Sequence, residues 1–234
     1  MAGRVKKAVR ARETPLWDVA SAIVFILILI GINAAFIIAQ EMYYGSMAAS
    51  VQALPISSAL LSVSFPMSVL LYLFGYRRAS VRSVVSSLGL GVSRRTLLHL
   101  AMGVGIFFAM VLLEMLIAFI SATTGVQINT NVSSIIGAAP AWFLVFTALV
   151  APFDEEVLFR GFLVPRIGIA ISALIFGILH LGYDSTFFVE VIAAVIFGLI
   201  SGYAYRRTGS LYPSLLAHIL VNTSTLLFAF AVIR

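Results

Sequence analysis

The chain contains no cysteine among its 234 residues. This absence excludes disulfide bonds, thiol-based catalysis, iron–sulfur clusters and zinc sites built on thiolates. It also means that the protein itself cannot be prenylated or palmitoylated, because both lipids are attached to cysteine. Any hydrolytic chemistry must therefore use carboxylates, imidazoles, hydroxyls or amides.

Charged residues are scarce as well, at 10% of the chain, whereas hydrophobic residues make up 62% and the mean hydropathy is +1.10. A typical soluble domain is about 45–50% apolar and about 25% charged. We therefore expect a lipid bilayer to solvate most of this chain. The formal net charge of +6 does not indicate nucleic-acid binding, because the basic residues cluster beside apolar segments, where they contact lipid and set orientation.

Seven apolar segments have roughly the length of a membrane-spanning helix, which needs about 20 residues. They are residues 16–40, 53–76, 96–122, 138–164, 167–182, 187–205 and 212–233, of which the fifth is short. The sequence therefore predicts an all-α, polytopic membrane helix bundle of about seven transmembrane helices. The first segment is long and has no clear cleavage site after it, which favours an uncleaved span over a signal peptide.

Thirteen of the 15 Lys and Arg residues lie on one side of these segments, whereas Arg160 lies within a segment and Arg234 lies on the other side. Five precede the first segment, five lie between residues 77 and 95, and Arg166, Arg206 and Arg207 follow the fourth and sixth segments. The alternate loops at 41–52 and 123–137 contain neither residue type. Because cytoplasmic loops are enriched in Lys and Arg, this pattern predicts a cytoplasmic N-terminus.

Several ionisable or polar residues lie inside the apolar segments, where such groups are costly and are functional candidates by default. They are Glu114, Asp154, Glu155, Glu156, Arg160, His180, Glu190, His218 and Asn222. At about 1.5 Å of helix per residue, those of the fourth, fifth and seventh segments share one layer between the cytoplasmic half and the membrane centre. We assign no role to Glu114 or Glu190, and interpret Asp154 as a cavity or helix-bend residue beside Pro152.

Spacing within the stretch APFDEEVLFRG separates the roles of its two glutamates. Glu156 and Arg160 are four residues apart and can pair on one helix face. Arg160 needs such a partner at depth, because its guanidinium stays charged. Glu155 points about 100° away from Glu156 and is left free for chemistry.

These residue types suffice to hydrolyse an amide. A glutamate can act as general base on a water molecule held with a histidine. A second histidine and an asparagine can donate hydrogen bonds to the oxyanion of a tetrahedral intermediate. In a variant, Glu155, His180 and His218 would bind a metal ion that activates the water. The HExxH and GxSxG patterns of other hydrolases are absent.

Three motifs resemble the CPBP family, which comprises type II CaaX prenyl endopeptidases and bacteriocin-processing or abortive-infection membrane proteins. EEVLFR fits EExxxR, FGILH fits FxxxH and HILVN fits HxxxN, in this order and on separate segments. The resemblance covers roughly residues 138–233. It divides one integral membrane domain into N-terminal helices with basic cytoplasmic segments (1–137) and a CPBP-like catalytic core (138–234).

The resemblance implies a role for each matching residue. Glu155 would activate water with the help of His180, and His218 and Asn222 would form the oxyanion site. The remaining motif residues would support them: Glu156, Arg160 and Phe176. It also implies a cavity open to the cytosol, which agrees with the predicted layer. No cofactor is expected, although the family resemblance leaves a divalent metal open.

The resulting hypothesis is an intramembrane endopeptidase that cleaves a membrane-associated peptide or protein, either prenylated or of the leader type. The expected partners are this substrate and the lipid bilayer, with no nucleic acid. The expected location is the cell membrane in a prokaryote or the endoplasmic reticulum in a eukaryote. Two alternatives remain open: a proteolytically inactive scaffold or regulator of the same fold, and a small transporter that uses the buried carboxylates.

Overall fold

The computed structural model describes residues 47–125, 139–181 and 189–233, together with residue 137 and helical positions scattered between 20 and 42. The predicted first span at 16–40 and the predicted cytoplasmic N-terminus therefore lie largely outside the described residues. Within the described ranges the ordered elements are all helical, which confirms the all-α fold class.

Seven helices are numbered here in chain order. They are α1 (Met47–Leu70, continued by a π-helical turn at Leu71–Tyr76), α2 (Val81–Ser87), α3 (Thr96–Thr124), α4 (residues 141–167), α5 (Ile169–Ile178), α6 (Val189–Thr208) and α7 (Tyr212–Ile233). The short α2 lies in the basic loop between the second and third predicted spans. The bundle thus follows the predicted order of apolar segments.

Four of the described helices are long and apolar enough to cross a bilayer: Pro55–Tyr76, Thr96–Thr124, Val189–Thr208 and Tyr212–Ala231. The predicted fifth span, 167–182, is wrong as a span. Its helix α5 has ten residues and is about 15 Å long, half of the hydrocarbon thickness of about 30 Å. The chain turns at Leu179–Leu181, so His180 follows α5 instead of lying within it.

Helix α4 is broken by two π-helical stretches, Phe146–Val150 and Val157–Leu163. The first precedes Pro152, which cannot donate a backbone hydrogen bond. The second is buried in all seven of its residues, and its five apolar side chains belong to the hydrophobic core. Single π turns within α-helices are frequent at functional sites, because they shift the side chains that follow.

Helices α5 and α6 pack closely because α6 presents glycine to its neighbour. A β-carbon on Gly198 would lie 2.8 Å from the Ala173 β-carbon, and one on Gly202 would lie 2.8 Å from Ile169 Cγ2. These two glycines form the GxxxG pattern of α6, and such patterns let helix backbones approach in membranes. The pattern here therefore serves packing, and it fixes the antiparallel register of α5 against α6.

Candidate active site

A cavity of about 210 Å³ lies between α3, α4, α6 and α7 and beside the turn after α5. All three sequence motifs contribute to its wall. The motif residues that line it are Glu155, Phe176, His180, His218 and Asn222. The structure thus brings the four predicted catalytic residues to one cavity, although they lie on three segments that are distant in sequence.

The two adjacent glutamates have different surroundings. The Glu156 side chain is 0% exposed, and its Oε1 atom lies 2.8 Å from Arg160 Nη1. This contact is the ion pair that the spacing of the two residues predicts. The Glu155 side chain is 22% exposed and lines the cavity. Its Oε2 atom is shielded from solvent and accepts no hydrogen bond from the described part of the chain. Glu155 is therefore the carboxylate placed to meet a reacting molecule.

Aromatic rings enclose the charge of Arg160. The guanidinium carbon lies 4.4 Å from the centroid of the Phe176 ring and 5.1 Å from that of Phe197. Both rings are buried, at 2% and 4% exposed. A cation between ring faces is stabilised by their negative electrostatic potential, and a desolvated site strengthens this attraction. Phe176 of the FxxxH motif thus holds Arg160 in place and also packs 4.7 Å from the His180 ring.

His218 lies between the two glutamates. Its Nδ1 atom is 3.0 Å from Glu156 Oε1, so we assign the Nδ1 proton to a hydrogen bond donated to that carboxylate. Its Nε2 atom is 3.8 Å from Glu155 Oε2. The hydrogen bond to Glu156 therefore orients the His218 ring so that Nε2 faces Glu155. The Phe197 ring packs against the His218 ring, with their centroids 5.0 Å apart.

His180 is oriented by the end of the preceding helix, α5. Its Nδ1 atom is 2.9 Å from the Phe176 carbonyl oxygen, which can only accept, so Nδ1 carries the proton in this bond. The neutral ring then has its lone pair on Nε2. A histidine in this tautomer can accept a hydrogen bond from water at the cavity wall.

Asn222 makes a contact that follows from the break in α4. The Ala151 N–H donates to the Phe146 carbonyl, and Pro152 has no N–H to donate. The Thr147 carbonyl therefore lacks both of its usual helical donors. Asn222 Nδ2 supplies one from α7, at 2.8 Å. This structural role is additional to the predicted oxyanion role, for which the second hydrogen on Nδ2 remains.

The three other acidic residues within apolar segments have separate positions. Asp154 is 4% exposed and accepts a hydrogen bond of 3.0 Å from the Ser62 hydroxyl, which joins α4 to α1 and agrees with a helix-bend role. Glu114 of α3 and Glu190 of α6 both line the cavity. The motifs gave no role to Glu114 or Glu190, because neither residue belongs to a motif.

Sequence reasoning missed three contributors. Phe197 contacts Arg160 and His218 but has no polar or periodic signature that distinguishes it from core phenylalanines. The Glu156–His218 bond joins two motifs, which spacing within one motif cannot show. The demand for a donor at Thr147 was not detectable, because in a regular α-helix Pro152 would leave the Ala148 carbonyl without its donor, and only the π turn moves this gap to Thr147.

The residues proposed for a metal ion are Glu155, His180 and His218. Among the described residues, however, His, Cys, Asp and Glu side chains form no group of three with the geometry to hold a metal. The present arrangement does not fit a three-ligand metal site, and we derive no step through a metal.

Known proteins resemble the C-terminal part of the chain. Residues 137–224 match the family described as type II CAAX prenyl endopeptidase, Rce1-like, and all three motifs fall within that range. The uncharacterized protein YpbD of Bacillus subtilis (strain 168) is 35% identical over 79 residues, which are 34% of this chain. The alignment covers 41% of YpbD, so less than half of that relative's length is matched. No solved structure matches the chain.

The family match confirms the resemblance that the ordered motifs indicate. The matched family is one of membrane endopeptidases, and four described helices are suited to cross a bilayer. The chain is therefore an integral membrane protein, and its residues 137–224 are similar to a membrane endopeptidase family. The division of the chain at residues 137 and 138 stays a prediction.

Proposed function

We propose that the protein is an intramembrane endopeptidase in which Glu155 activates water for attack on a peptide bond. The match of residues 137–224 to a membrane endopeptidase family supports the reaction class. The observation that carries the proposal is the cavity itself. It collects a partly exposed carboxylate, two imidazoles and an amide from separate segments, in a chain that otherwise avoids charge.

The reaction begins with water held at Glu155 and His180. Glu155 takes one proton as the water oxygen bonds to the carbonyl carbon of the substrate, which gives a tetrahedral oxyanion. Protonated His218 Nε2 and the second Asn222 N–H donate hydrogen bonds to that oxyanion. Glu155 then gives its proton to the amide nitrogen, the carbon–nitrogen bond breaks, and a carboxylic acid and an amine leave.

Glu156 and Arg160 act in this scheme by positioning. The Glu156 carboxylate accepts a hydrogen bond from His218 Nδ1 and stabilises the protonated ring, which donates through Nε2 and keeps both of its protons throughout the reaction. Arg160 keeps Glu156 ionised and fixed. Neither residue lines the cavity, so neither is proposed to touch the substrate.

The test compares Glu155→Gln with Asp154→Asn, a matched control on the adjacent acid, which bonds Ser62 away from the cavity. The purified full-length proteins would be incubated in lipid with a farnesylated CaaX-type peptide and, separately, with an unprenylated membrane-anchored peptide. We expect wild type and Asp154→Asn to cleave one of these probes and Glu155→Gln to cleave neither. Mass spectrometry of the fragments identifies the bond that is cut.

A parallel series with chelator addresses the metal variant, and we expect cleavage to persist in it. Full activity of Glu155→Gln would refute the role of Glu155 as the base. If wild type cleaves neither probe while both variants keep their fold and their membrane insertion, the proteolytic proposal fails for these substrate classes. An inactive scaffold or regulator would then be the better hypothesis.

A further inference from the structure

Glu114 is an acidic residue within an otherwise apolar helix. It stands in α3 (Thr96–Thr124), which contains no other Asp, Glu, Lys or Arg. At about 1.5 Å per residue, Glu114 lies about 27 Å from the start of this helix and about 15 Å from its end. A hydrocarbon layer of about 30 Å placed anywhere along the helix therefore includes it. Because lipid does not solvate a carboxylate, an acid at this depth is a functional candidate.

The Glu114 side chain meets the cavity and not another side chain. It lines the same cavity as Glu155, and the residue is exposed. It makes no hydrogen bond or ion pair with any residue that the structure describes, whereas Glu156 is paired with Arg160. Glu190 also lines the cavity, but it already takes part in another contact. Glu114 is therefore the carboxylate outside the three motifs that a bound molecule can meet directly.

The sequence offers this carboxylate few cations. Residues 13–76, 126–136 and 182–188 contain no Lys, Arg or His. Apart from Arg160, the Arg residues of the described ranges stand in the segment 77–95 or in the last turns of α4 and α6. None of these stretches brings a positive charge to the middle of α3, and a molecule bound in the cavity can.

The position of Glu114 relative to the proposed oxyanion site follows from the packing of α3 on α7. A β-carbon on Gly103 would lie 2.7 Å from the Pro213 carbonyl oxygen, and farther along both helices Glu114 and Thr225 line the cavity, so the two helices run parallel. Counted from the Gly103 contact, Glu114 lies about 16 Å along α3 and His218 about 8 Å along α7. The two residues therefore differ in level by roughly 9 Å along the helix axes.

An extended peptide can bridge this difference in level. It advances about 3.3 Å per residue, so about three residues cover the distance from His218 to Glu114. Asn222 lies between the two levels, one turn beyond His218 on the same face of α7, and it lines the cavity as well. A peptide whose scissile carbonyl is held by His218 and Asn222 can thus place a side chain beside Glu114 from two or three residues away.

A Lys or Arg side chain complements this part of the cavity wall. Its aliphatic stem suits the apolar residues that line the cavity with Glu114, among them Met110, Phe143 and Leu144. Its charged end can donate a hydrogen bond to the Glu114 carboxylate, and hydrogen bonds of this charge-assisted kind are about twice as strong as neutral ones. An acidic side chain at the same place would meet a like charge.

From these observations we infer that Glu114 determines substrate specificity: it binds a Lys or Arg side chain that stands two or three residues from the scissile bond of a membrane-bound polypeptide. The words substrate and scissile bond rest on the proposed function, whereas the binding preference follows from the charge and packing of the cavity. Glu114 lies outside residues 137–224, so this preference belongs to the N-terminal part of the chain and not to the segment that the family match covers.

Binding to a non-cleaving variant tests the preference separately from cleavage. Full-length Glu155→Gln protein in lipid nanodiscs would be titrated with fluorescent, membrane-anchored peptides that carry Lys, Gln or Glu at one position. That position is moved along the peptide one residue at a time, so that every register is sampled. The same titrations are repeated with Glu114→Gln, Glu114→Lys or Asp154→Asn added. Asp154→Asn is the matched control, because its carboxylate bonds Ser62 and does not line the cavity.

With Glu114 present, we expect the Lys peptide to bind about tenfold more tightly than the Gln peptide in at least one register, the effect of one hydrogen bond to a charged group. Asp154→Asn should keep this preference, Glu114→Gln should abolish it, and Glu114→Lys should favour the Glu peptide. A Lys preference that survives in Glu114→Gln would overturn the inference. So would equal binding of the three peptides in every register, or no binding of any of them.

Cleavage and thermal unfolding complete the test. In fragments released by protein with Glu155 intact, the Lys that improves binding should stand two or three residues from the cut bond. A Glu114-dependent Lys preference without cleavage of any peptide would refute the proposed function and leave the cation site standing, and cleavage without that preference would do the reverse. Glu114→Gln should not lower the melting temperature. A lower value would show that a cation of the chain itself, such as one of those in residues 1–12, fills the site, and would overturn the inference.

Discussion

The buried pair of Glu156 and Arg160 gives the sharpest separation between positioning and catalysis. Glu156→Gln keeps the shape of the side chain but removes the negative charge 2.8 Å from the Arg160 guanidinium. Both side chains are at most 1% exposed, so water cannot replace the lost charge. Removing one partner of a buried ion pair costs about 3–5 kcal/mol, because the remaining charge stays buried without compensation.

Two features refine this magnitude. The Phe176 and Phe197 rings beside the guanidinium retain part of its stabilisation, which favours the lower end of the range. For a chain of this size, each kcal/mol changes the melting temperature by about 2–4 °C, so Glu156→Gln should lower it by on the order of 10 °C. Glu155→Gln alters a carboxylate whose side chain is 22% exposed and whose contact with His218 Nε2 is long, at 3.8 Å. Its melting temperature should remain near that of wild type.

The assay is thermal unfolding of detergent-purified protein, followed by tryptophan fluorescence or by size-exclusion recovery after heating. The matched control is the double variant Glu156→Leu with Arg160→Met, which removes both charges and should regain most of the lost stability. Glu156→Gln should also lower kcat, because His218 Nδ1 loses its charged acceptor. Equal stability of Glu156→Gln and wild type, or an equal loss in Glu155→Gln, would refute the division of roles between the two glutamates.

Two further substitutions test the fold around the site. Gly89→Ala should lower the stability of the protein by about 1–2 kcal/mol or more, because φ is +72° and a β-carbon would lie 2.8 Å from the Gly209 carbonyl oxygen. The control is Gly91→Ala, whose β-carbon would meet no atom within 4 Å and should leave the melting temperature unchanged. Equal melting temperatures of the two variants would contradict the close packing of Gly89 against Gly209. Asn222→Ala should cost about 1–3 kcal/mol even in the inactive Glu155→Gln background, since the Thr147 carbonyl loses its donor. An unchanged melting temperature there would assign Asn222 to catalysis alone.

Composition and charge were sufficient to predict a helical membrane bundle, because lipid solvation and positive-inside orientation act on whole segments. The start of α3 at Thr96 and both ends of α7 are as predicted. The fifth segment was wrong as a span because hydropathy counts apolar residues and does not detect where a helix turns. Its ten helical residues bury one face against the glycines of α6, so apolar character there reflects packing.

Within the site, local spacing predicted the Glu156–Arg160 pair, since residues four apart meet on any helix. It could not predict that Glu156 also binds His218, because that contact depends on how α7 docks against α4. The catalytic roles of the four cavity residues remain predictions. What the structure adds is their shared cavity and the distance of 3.8 Å between Glu155 Oε2 and His218 Nε2.

The break in α4 connects the fold to the proposed chemistry. A continuous α-helix would satisfy the Thr147 carbonyl internally and would leave Asn222 without a reason to approach α4. The π turn diverts that donor, the Ala151 N–H, to the Phe146 carbonyl, and Pro152 has no N–H to replace it. The side chain of α7 that replaces it comes from the same HxxxN motif that carries His218 one turn earlier. The bond that repairs the helix therefore also holds His218 beside Glu155 and Glu156. A change that restores the N–H at residue 152 should weaken this docking, because the two donors would compete for one carbonyl oxygen.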